Sequence, residues 1–389
     1  MKCIGIDVSK GSSTICFIDH LGEMHISPTE VKHQKKELEL FINKIEERGE
    51  VKAILEATGH YHYPVVKFFL EKGIFISVVN ALSIKKFNDI SIRKGKTDKL
   101  DSIKIAQYGL FKWNSLLKQD NASMVFTELR SLSRQYFHYK KAIVKHKVNL
   151  SNILDRVMPG INEYLKNSKM HDFINKYWHY DNINKQSRSA FVSGYNKWAK
   201  RKGYHSSTVK AETIYNHARD SITTLDSNYT STKLIVQESI SSIKNVSISS
   251  NLILAQMHTL AQELPEYKMV LGMNGVGEKL SVLLISEIGD VRRIKSKKAL
   301  IALAGIDAPP YQSGGFTGTK RKISKRGNKY LRMVGYEVMQ SLKKNKYIDD
   351  EVYKFIIKKE LEGKPKKQAK IAGLNKFLRI YYARVMKLY

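Results

Sequence analysis

Four acidic residues have the spacing and surroundings that phosphate chemistry requires. Asp7 ends an apolar, strand-like run, and Glu56 ends a second such run. Asp98 and Asp101 are three residues apart near the start of a helical pattern, so both project from one face of that helix. Carboxylates that converge at one sheet edge repel each other unless a cation neutralises them, and hard oxygen ligands suit Mg²⁺ or Mn²⁺. The sequence therefore predicts a divalent-metal site built from these four acids.

A serine near the end of the chain is the second candidate for chemistry. Ser313 lies in YQSGGFTGTKRKISKRGNKYLR, residues 311–332, where two glycines and then a dense cationic run follow it. Glycines permit close backbone approach, and the cations can hold a phosphate backbone beside the hydroxyl. Local chemistry leaves two alternatives open: an idle loop serine, or a nucleophile that attacks a phosphodiester. Tyr311 is a weaker competing nucleophile.

The elements that must position the acids alternate between strand and helix patterns over residues 1–118. The predicted strands are Lys2–Val8, Ser13–Asp19, Val51–Glu56 and Phe75–Val79, and the predicted helices are 33–48, 61–72 and one that begins after Thr97. Thr97 is the expected N-cap of that last helix. Strands that alternate with helices indicate an α/β domain.

The middle of the chain is predicted to be helical. Apolar residues, with His146 as the exception, follow a heptad spacing from Val125 to Val157. A second, less regular helical run covers about 232–264. These runs either pair within one chain or the first pairs between two chains, and both alternatives stay open. The Ser/Thr-rich stretch 205–250 is expected to be a looser linker, although its apolar spacing argues against full disorder.

Two further segments allow a nucleic-acid and a structural interpretation. Residues 171–204 mix aromatic rings with cations, so they either stack on bases or form the aromatic core of a helical insert. The segment GMNGVG, residues 272–277, resembles the turn of a helix-hairpin-helix, whose backbone amides can contact a phosphate, but it equally fits a plain helix–helix turn.

The overall charge favours a polyanionic partner. The chain has 389 residues, with 67 Lys and Arg against 36 Asp and Glu, a net charge of +31. Such an excess of cations is typical of proteins that bind nucleic acids. The two cysteines show no zinc-type spacing, and no apolar run reaches the length of a membrane span. We therefore expect an intracellular protein without a structural zinc.

Several motifs together resemble one family. GIDVSK, LEATGHYHYPV and KTDKLDSIKIA resemble, in order and spacing, the RuvC-like domain of a group of bacterial insertion-sequence transposases, in which four acids spell D-E-D-D. The stretch NGVGEKLSVLLISEIGDVRRIKSKKALIALAGI, followed by YQSGG and KRKISKRGNKYLR, resembles the second conserved domain of that family, which carries a catalytic serine. The resemblance covers both ends of the chain, and the middle region is long for the family.

The resemblance implies a domain order and a fold class. Residues 1–118 would form an α/β RuvC-like (RNase H-like) domain that binds metal. Residues 119–265 would form a coiled-coil or helical region, with the aromatic and basic insert near 171–204. Residues 266–389 would form a mainly α transposase domain with the serine.

The resemblance also implies a function and partners. Family members are site-specific recombinases that cut and rejoin target and donor DNA, at least some guided by a structured bridge RNA, and they assemble as tetramers. By matching position, Asp7, Glu56, Asp98 and Asp101 would hold Mg²⁺ or Mn²⁺, and Ser313 would form a phosphoserine link to DNA. We expect a homo-oligomer, dimer to tetramer, in the bacterial cytoplasm and associated with the nucleoid when bound to DNA. The candidate nucleic-acid contacts are Lys94, Lys96, Lys320, Arg321, Lys322, Lys325, Arg326, Lys329 and Arg332.

Three rival functions make different demands on the sequence. A RuvC-like nuclease that resolves junctions with metal-activated water needs the four acids but not Ser313. An actin-like small-molecule kinase would use the hairpin GIDVSKGSSTICFID, although a second glycine-rich phosphate loop is missing. A non-catalytic nucleic-acid scaffold leaves the acid cluster unexplained.

Overall fold

The computed structural model describes residues 1–45, 50–57, 61–88, 97–119, 121–308, 312–313, 316–317 and 322–389. Two compact units make up the chain. The first contains residues 1–126 and 292–295, and the second contains residues 127–291 and 296–389.

The described residues before the long middle of the chain form five strands and four α-helices. The strands are β1 (Lys2–Val8), β2 (Ser12–Asp19), β3 (Met24–Lys32), β4 (Val51–Glu56) and β5 (Phe75–Val79). The helices are α1 (Lys35–Ile42), α2 (Tyr63–Glu71), α3 (Ala81–Asn88) and α4 (Asp98–Phe111).

The rest of the described chain is mostly helical. Its elements are α5 (Asn121–Val157), α6 (Ile161–Tyr164), α7 (Asn167–Tyr177), α8 (Asp181–Asn184), α9 (Arg188–Arg201), α10 (Thr208–Asp220), α11 (Thr230–Gln262), α12 (Glu266–Leu271), α13 (Glu278–Ile288), α14 (Lys297–Leu303), β6 (Gln312–Ser313), β7 (Phe316–Thr317), α15 (Lys329–Asn345), α16 (Glu351–Leu361) and α17 (Lys366–Val385). Within the described residues, no helix is both long and apolar enough to cross a membrane.

The first unit is built on a mixed five-stranded sheet in the order β3-β2-β1-β4-β5. β1 and β4 are parallel, as are β4 and β5, whereas β2 is antiparallel to both of its neighbours. Alternate residues of β1 enter different cores: Ile4 and Ile6 pack on one side of the sheet, and Cys3 packs on the other with Ile105 and Ala106 of α4. The predicted α/β character of the N-terminal region is confirmed at this level.

Strand β3 was not anticipated from the sequence. Among its nine residues only Val31 is buried, so the strand lacks the apolar run that would reveal it. The predicted helix 33–48 is longer than α1, which begins at Lys35 and ends at Ile42. Residues 46–49 of that prediction lie outside the described ranges. The predicted N-cap is confirmed, since the Thr97 side chain accepts a hydrogen bond from the Leu100 amide.

The two long helices of the middle region contribute side chains to one core. Leu150, Leu154 and Val157 of α5 share one core with Val236, Ile240 and Ile243 of α11. The C-terminal third of the heptad seam is therefore filled by this chain itself.

The stretch 205–250 is more ordered than expected of a linker. It contains α10 and the part of α11 from Thr230 to Ser250. Ala211, Ile214 and Ala218 of α10 are fully buried. Small and β-branched side chains among the serines supply a helical apolar stripe, which outweighs the linker-like composition.

The insert near 171–204 forms an aromatic core. Phe173, Phe191 and Tyr195 are fully buried, Trp198 is almost so, and their rings meet mainly edge to face. Burial raises the pKa of both Tyr177 and Tyr195 to about 12. These rings have no face exposed for stacking on bases, so the structural interpretation of this segment is the correct one.

Candidate active site

Two of the four predicted acids lie on adjacent parallel strands at the same level. The register of β1 and β4 pairs Ile6 with Leu55, so Asp7 and Glu56 are the next residues of each strand. Parallel strands are about 4.8 Å apart, and residues at the same level project from the same face. That face is the one that carries Cys3 and Ile54, because side chains alternate along each strand. Asp7 and Glu56 are both half-buried.

Helix α4 covers this face and sets the position of the other two acids. A Cβ at Gly5 would lie 2.6 Å from the Ala106 nitrogen and closer still to the Ser102 carbonyl oxygen. Nearer the helix end, a Cβ at Gly109 would lie 2.6 Å from the Cys3 sulfur. The helix therefore runs antiparallel to β1, and its first turn lies at the edge where Asp7 and Glu56 end the strands.

The first turn of α4 brings Asp98 and Asp101 to the same edge. Ser102 and Ala106 mark the stripe of α4 that faces the sheet, and Asp98 and Asp101 continue that stripe toward the helix N-terminus. Asp98 is exposed, whereas the Asp101 side chain is 26% exposed and pairs with Lys104 at 3.5 Å. The fold thus places all four predicted acids at one end of the sheet.

The donor set suits a hard divalent cation, although the carboxylates are not tightly clustered. In the described part of the chain, the one group of three acid or histidine ligand atoms within 4.8 Å of one another is Asp19, Glu23 and His25. Asp19 of that group closes the turn after β2, because its carboxylate accepts hydrogen bonds from the amides of Leu21 and Glu23. The four acids at the sheet edge provide only carboxylate oxygens, the ligands that Mg²⁺ and Mn²⁺ prefer.

Ser313 lies in a short hairpin of the second unit. Backbone pairing joins Ser313 to Phe316 and Gln312 to Thr317. Tyr311, Gly314 and Gly315 lie outside the described residues, as do the predicted nucleic-acid contacts Lys94, Lys96, Lys320 and Arg321.

The segment that carries this hairpin is closed at its base by backbone hydrogen bonds. The amides of Ser324, Lys325 and Asn328 donate to the carbonyls of Asp307, Gly305 and Leu303, respectively. The Ser324 hydroxyl also donates to the Asp307 carboxylate. Gly327 allows this closure, because a Cβ there would lie 2.5 Å from the Leu303 oxygen. Both ends of the segment are therefore anchored against the end of α14.

A buried glutamate stabilises the closed ends of the same segment. Glu287 of α13 is fully buried, and its carboxylate accepts hydrogen bonds from the Ser133 hydroxyl at 2.6 Å and from Arg134 at 2.9 Å. The Asn328 amide group donates to it at 2.6 Å. The Asn328 side-chain oxygen caps α15 by accepting from the amides of Tyr330 and Leu331. Glu287 thus joins α5, α13 and the start of α15.

The sequence reasoning missed this network. The available signal was an acid in the otherwise apolar run LSVLLISEIG, since a charged residue in a buried helix needs partners. Its partners Ser133 and Arg134 are 153 or more residues away, so their identity was not readable from local sequence.

The predicted cations after Ser313 differ in their surroundings. Lys322, Lys325, Arg326 and Lys329 are exposed. Arg332 is half-buried, and its guanidinium donates a hydrogen bond to the Ala304 carbonyl at 2.8 Å. Arg332 therefore helps to hold the end of α14, whatever it contacts outside the chain.

The GMNGVG turn packs closely inside the second unit. Gly275 has a φ of +79°, and a Cβ there would lie 2.6 Å from the Leu342 side chain and 3.1 Å from the Val338 oxygen. Gly277 precedes α13 as its N-cap. Packing against α15 explains Gly275 without a nucleic acid.

Comparison with known proteins identifies the class to which this fold and this pair of motifs belong. Residues 4–159 match a DEDD-type transposase model of the IS110 group, and residues 267–354 match a model described as transposase IS116/IS110/IS902 family. The chain belongs to the IS110 family of transposases, and it is a DNA recombinase/transposase. The resemblance seen in its motifs is confirmed.

Two relatives match along nearly the whole chain. A pilin gene-inverting protein of Moraxella bovis is 25% identical over 383 residues, which cover 98% of this chain and 94% of the relative. A pilin gene-inverting protein of Moraxella lacunata is 25% identical over 382 residues, with the same coverage.

Proposed function

We propose that this protein is a site-specific recombinase that cuts and rejoins DNA through a phosphoserine intermediate formed at Ser313. The observation that carries the proposal is the anchored segment around Ser313, which lies inside the C-terminal family match. A nucleophile that must reach a phosphodiester needs a segment whose two ends are fixed. The backbone hydrogen bonds between residues 303–307 and 324–328 fix the ends of this segment.

The chemistry conserves the energy of the DNA linkage. The Ser313 hydroxyl loses its proton and its oxygen bonds to the phosphorus, while the bond from phosphorus to one deoxyribose oxygen breaks and that oxygen takes up a proton. A hydroxyl of a second strand then attacks the phosphoserine and regenerates the serine. Exposed Lys322, Lys325 and Arg326 would neutralise the phosphate during both steps.

The proposal assigns the four acids to a divalent cation, in a domain of RuvC-like fold. Asp7 and Glu56 would hold the cation from the strand ends, with Asp98 and Asp101 from the first turn of α4. A bound Mg²⁺ or Mn²⁺ would polarise phosphate oxygens and stabilise the leaving oxygen. Without such a cation, four carboxylates at one edge would repel the DNA backbone.

The remaining partners in the proposal follow from family membership. We propose target and donor DNA as substrates, a structured guide RNA, and a homo-oligomer between dimer and tetramer in which different subunits cooperate. DNA inversion, the activity in the names of the two relatives, is one outcome that such an enzyme can produce. The three-domain division at 1–118, 119–265 and 266–389 remains part of this proposal.

The nucleophile is tested with labelled DNA taken from the flanks of the gene. Wild type should form a covalent adduct that survives denaturation, and peptide mapping should place the DNA on Ser313. Ser313→Ala should abolish the adduct, whereas Tyr311→Phe should leave it unchanged. An adduct in Ser313→Ala would refute the assignment. Cleavage without any adduct in wild type would instead favour the metal-dependent nuclease.

The metal assignment is tested by titration calorimetry with Mn²⁺. Asp7→Asn and Glu56→Gln should each weaken binding, because each removes a carboxylate from the sheet edge. Glu23→Gln is the matched control, since Glu23 belongs to the separate group near the β2–β3 turn. If Glu23→Gln alone abolishes binding, the ion occupies that turn and the assignment of the sheet edge is wrong.

A further inference from the structure

Three cations converge on one aromatic ring at the start of α15. The Arg134 guanidinium lies 4.1 Å from the centre of the Tyr330 ring, the Lys329 ammonium 5.2 Å, and the Lys141 ammonium 6.0 Å. Phe137 stacks on the same ring with centroids 4.7 Å apart and an interplanar angle of 23°. Arg134, Phe137 and Lys141 are spaced three and four residues apart, so they form one stripe of α5.

The charges in this cluster do not balance. Its acid is Glu287, which pairs with Arg134 and is fully buried. Lys141 and Lys329 are exposed, and neither makes an ion pair within the part of the chain that the structure describes. Three positive charges with one negative charge repel each other, and an anion placed among them would remove that repulsion.

The geometry of Arg134 favours a phosphate as that anion. Its contact with Glu287 uses one terminal nitrogen, while the guanidinium has five N–H donors in a planar fork. Its side chain is 41% exposed, so the unused donors can reach a ligand from solvent. The contact with the Tyr330 ring and the pairing with Glu287 restrict the Arg134 side chain, which reduces the entropy lost when a phosphate binds.

The position of the cluster relates it to the segment that carries Ser313. Asn328, which closes the base of that segment, is hydrogen-bonded to Glu287, and Lys329 is the next residue. We propose that Arg134, Lys141 and Lys329 bind a phosphodiester of the nucleic-acid strand that passes the serine segment. Glu287 is then a positioning residue, which orients Arg134. The proposal rests on the proposed function only where it relates the bound strand to Ser313.

The test compares two double variants with equal charge change. Lys141→Ala with Lys329→Ala removes the two exposed cations of the cluster. Lys145→Ala with Lys344→Ala removes two exposed lysines from the same two helices. Both pairs are placed in a Ser313→Ala background with EDTA present, so that neither cleavage nor the nucleophile assignment affects the result. Thermal melting confirms that both fold.

Binding to duplex DNA and to an RNA hairpin is measured by fluorescence anisotropy between about 50 and 200 mM salt. Each lost contact with B-DNA lowers the slope of log affinity against log salt by about 0.9, so the cluster variant should lose about 1.8. The control pair should keep the parental slope. A slope change with RNA alone supports the site and identifies the strand as RNA. Equal changes in both double variants, or no change in either, overturn the proposal.

Discussion

Gly5 offers the most direct test of how the fold positions the acids. Gly5→Ala would place a methyl group 2.6 Å from the Ala106 nitrogen, and ordinary contacts of a Cβ begin at about 3.4 Å. Because the atoms it meets are helix backbone, relief requires that α4 move by at least about 0.8 Å, and more where the methyl meets the Ser102 oxygen. The helix would carry Asp98 and Asp101 away from Asp7 and Glu56.

The expected magnitudes follow from that displacement. Overpacking of this kind costs about 1–3 kcal/mol of the free energy of unfolding. A misplacement near 1 Å can cost about 100-fold in rate, so the initial rate of covalent DNA adduct formation should fall by roughly that factor. Urea unfolding, Mn²⁺ calorimetry and adduct formation measure the three consequences on the same protein.

Gly109→Ala is the matched control on the same helix. Its methyl group would meet the Cys3 sulfur and the end of the Ile54 side chain, both side-chain atoms that can adjust. It also removes a glycine from a helix interior, which stabilises the helix by up to about 1 kcal/mol. We expect a smaller loss of stability and near wild-type Mn²⁺ affinity. Wild-type affinity in Gly5→Ala, or a larger loss in Gly109→Ala, would contradict the placement of α4.

Three further predictions concern the second unit. Glu287→Leu should destabilise the protein by about 2–5 kcal/mol in urea unfolding, because it leaves the Ser133 hydroxyl and the Arg134 guanidinium without the carboxylate that accepts their hydrogen bonds. Trp198→Ala should lower the free energy of unfolding by about 3–5 kcal/mol and leave nucleic-acid affinity unchanged. If the ring stacked on bases, the variant would instead lose affinity and keep its stability. Lys197→Ala, at an exposed neighbouring position, is the control for stability. A fragment 127–389 should melt cooperatively and 160–389 should not, as judged by circular dichroism, because the shorter one loses Arg134 and the apolar seam of α5.

The strands and helices around the predicted acids were readable because each has a local signal. Val51–Glu56 is an apolar run that ends in an acid, and Thr97 is an N-cap three residues before Leu100. Strand β3 was not readable, since its pairing with β2 comes from the neighbouring strand and its own side chains are mostly exposed. The local sequence of β3 does not show that β2 will lie beside it and provide its hydrogen-bond partners.

The candidate site was also predictable from the sequence only in part. The types and order of Asp7, Glu56, Asp98 and Asp101 were visible in the sequence, but their common edge depends on Gly5, which allows the backbone of α4 to approach the sheet. For Ser313 the sequence showed the cations that follow it. It did not show that residues 303–307 and 324–328 close the segment, because those bonds join backbone groups and carry little residue preference.

Helix α5 explains why the boundary of a family match and the boundary of a compact unit differ here. The N-terminal match continues to residue 159, yet the first unit ends at Phe126 and the second begins at Thr127. Beyond that point α5 supplies Ser133 and Arg134 to the buried Glu287, and these two residues belong to the N-terminal match while Glu287 and Asn328 belong to the C-terminal one. A buried carboxylate that loses its donors is costly, so substitutions at one end of this contact restrict those at the other. The end of the N-terminal match, from Thr127 to residue 159, therefore belongs to the same folded unit as the C-terminal match, and α5 must be retained with the segment that carries Ser313.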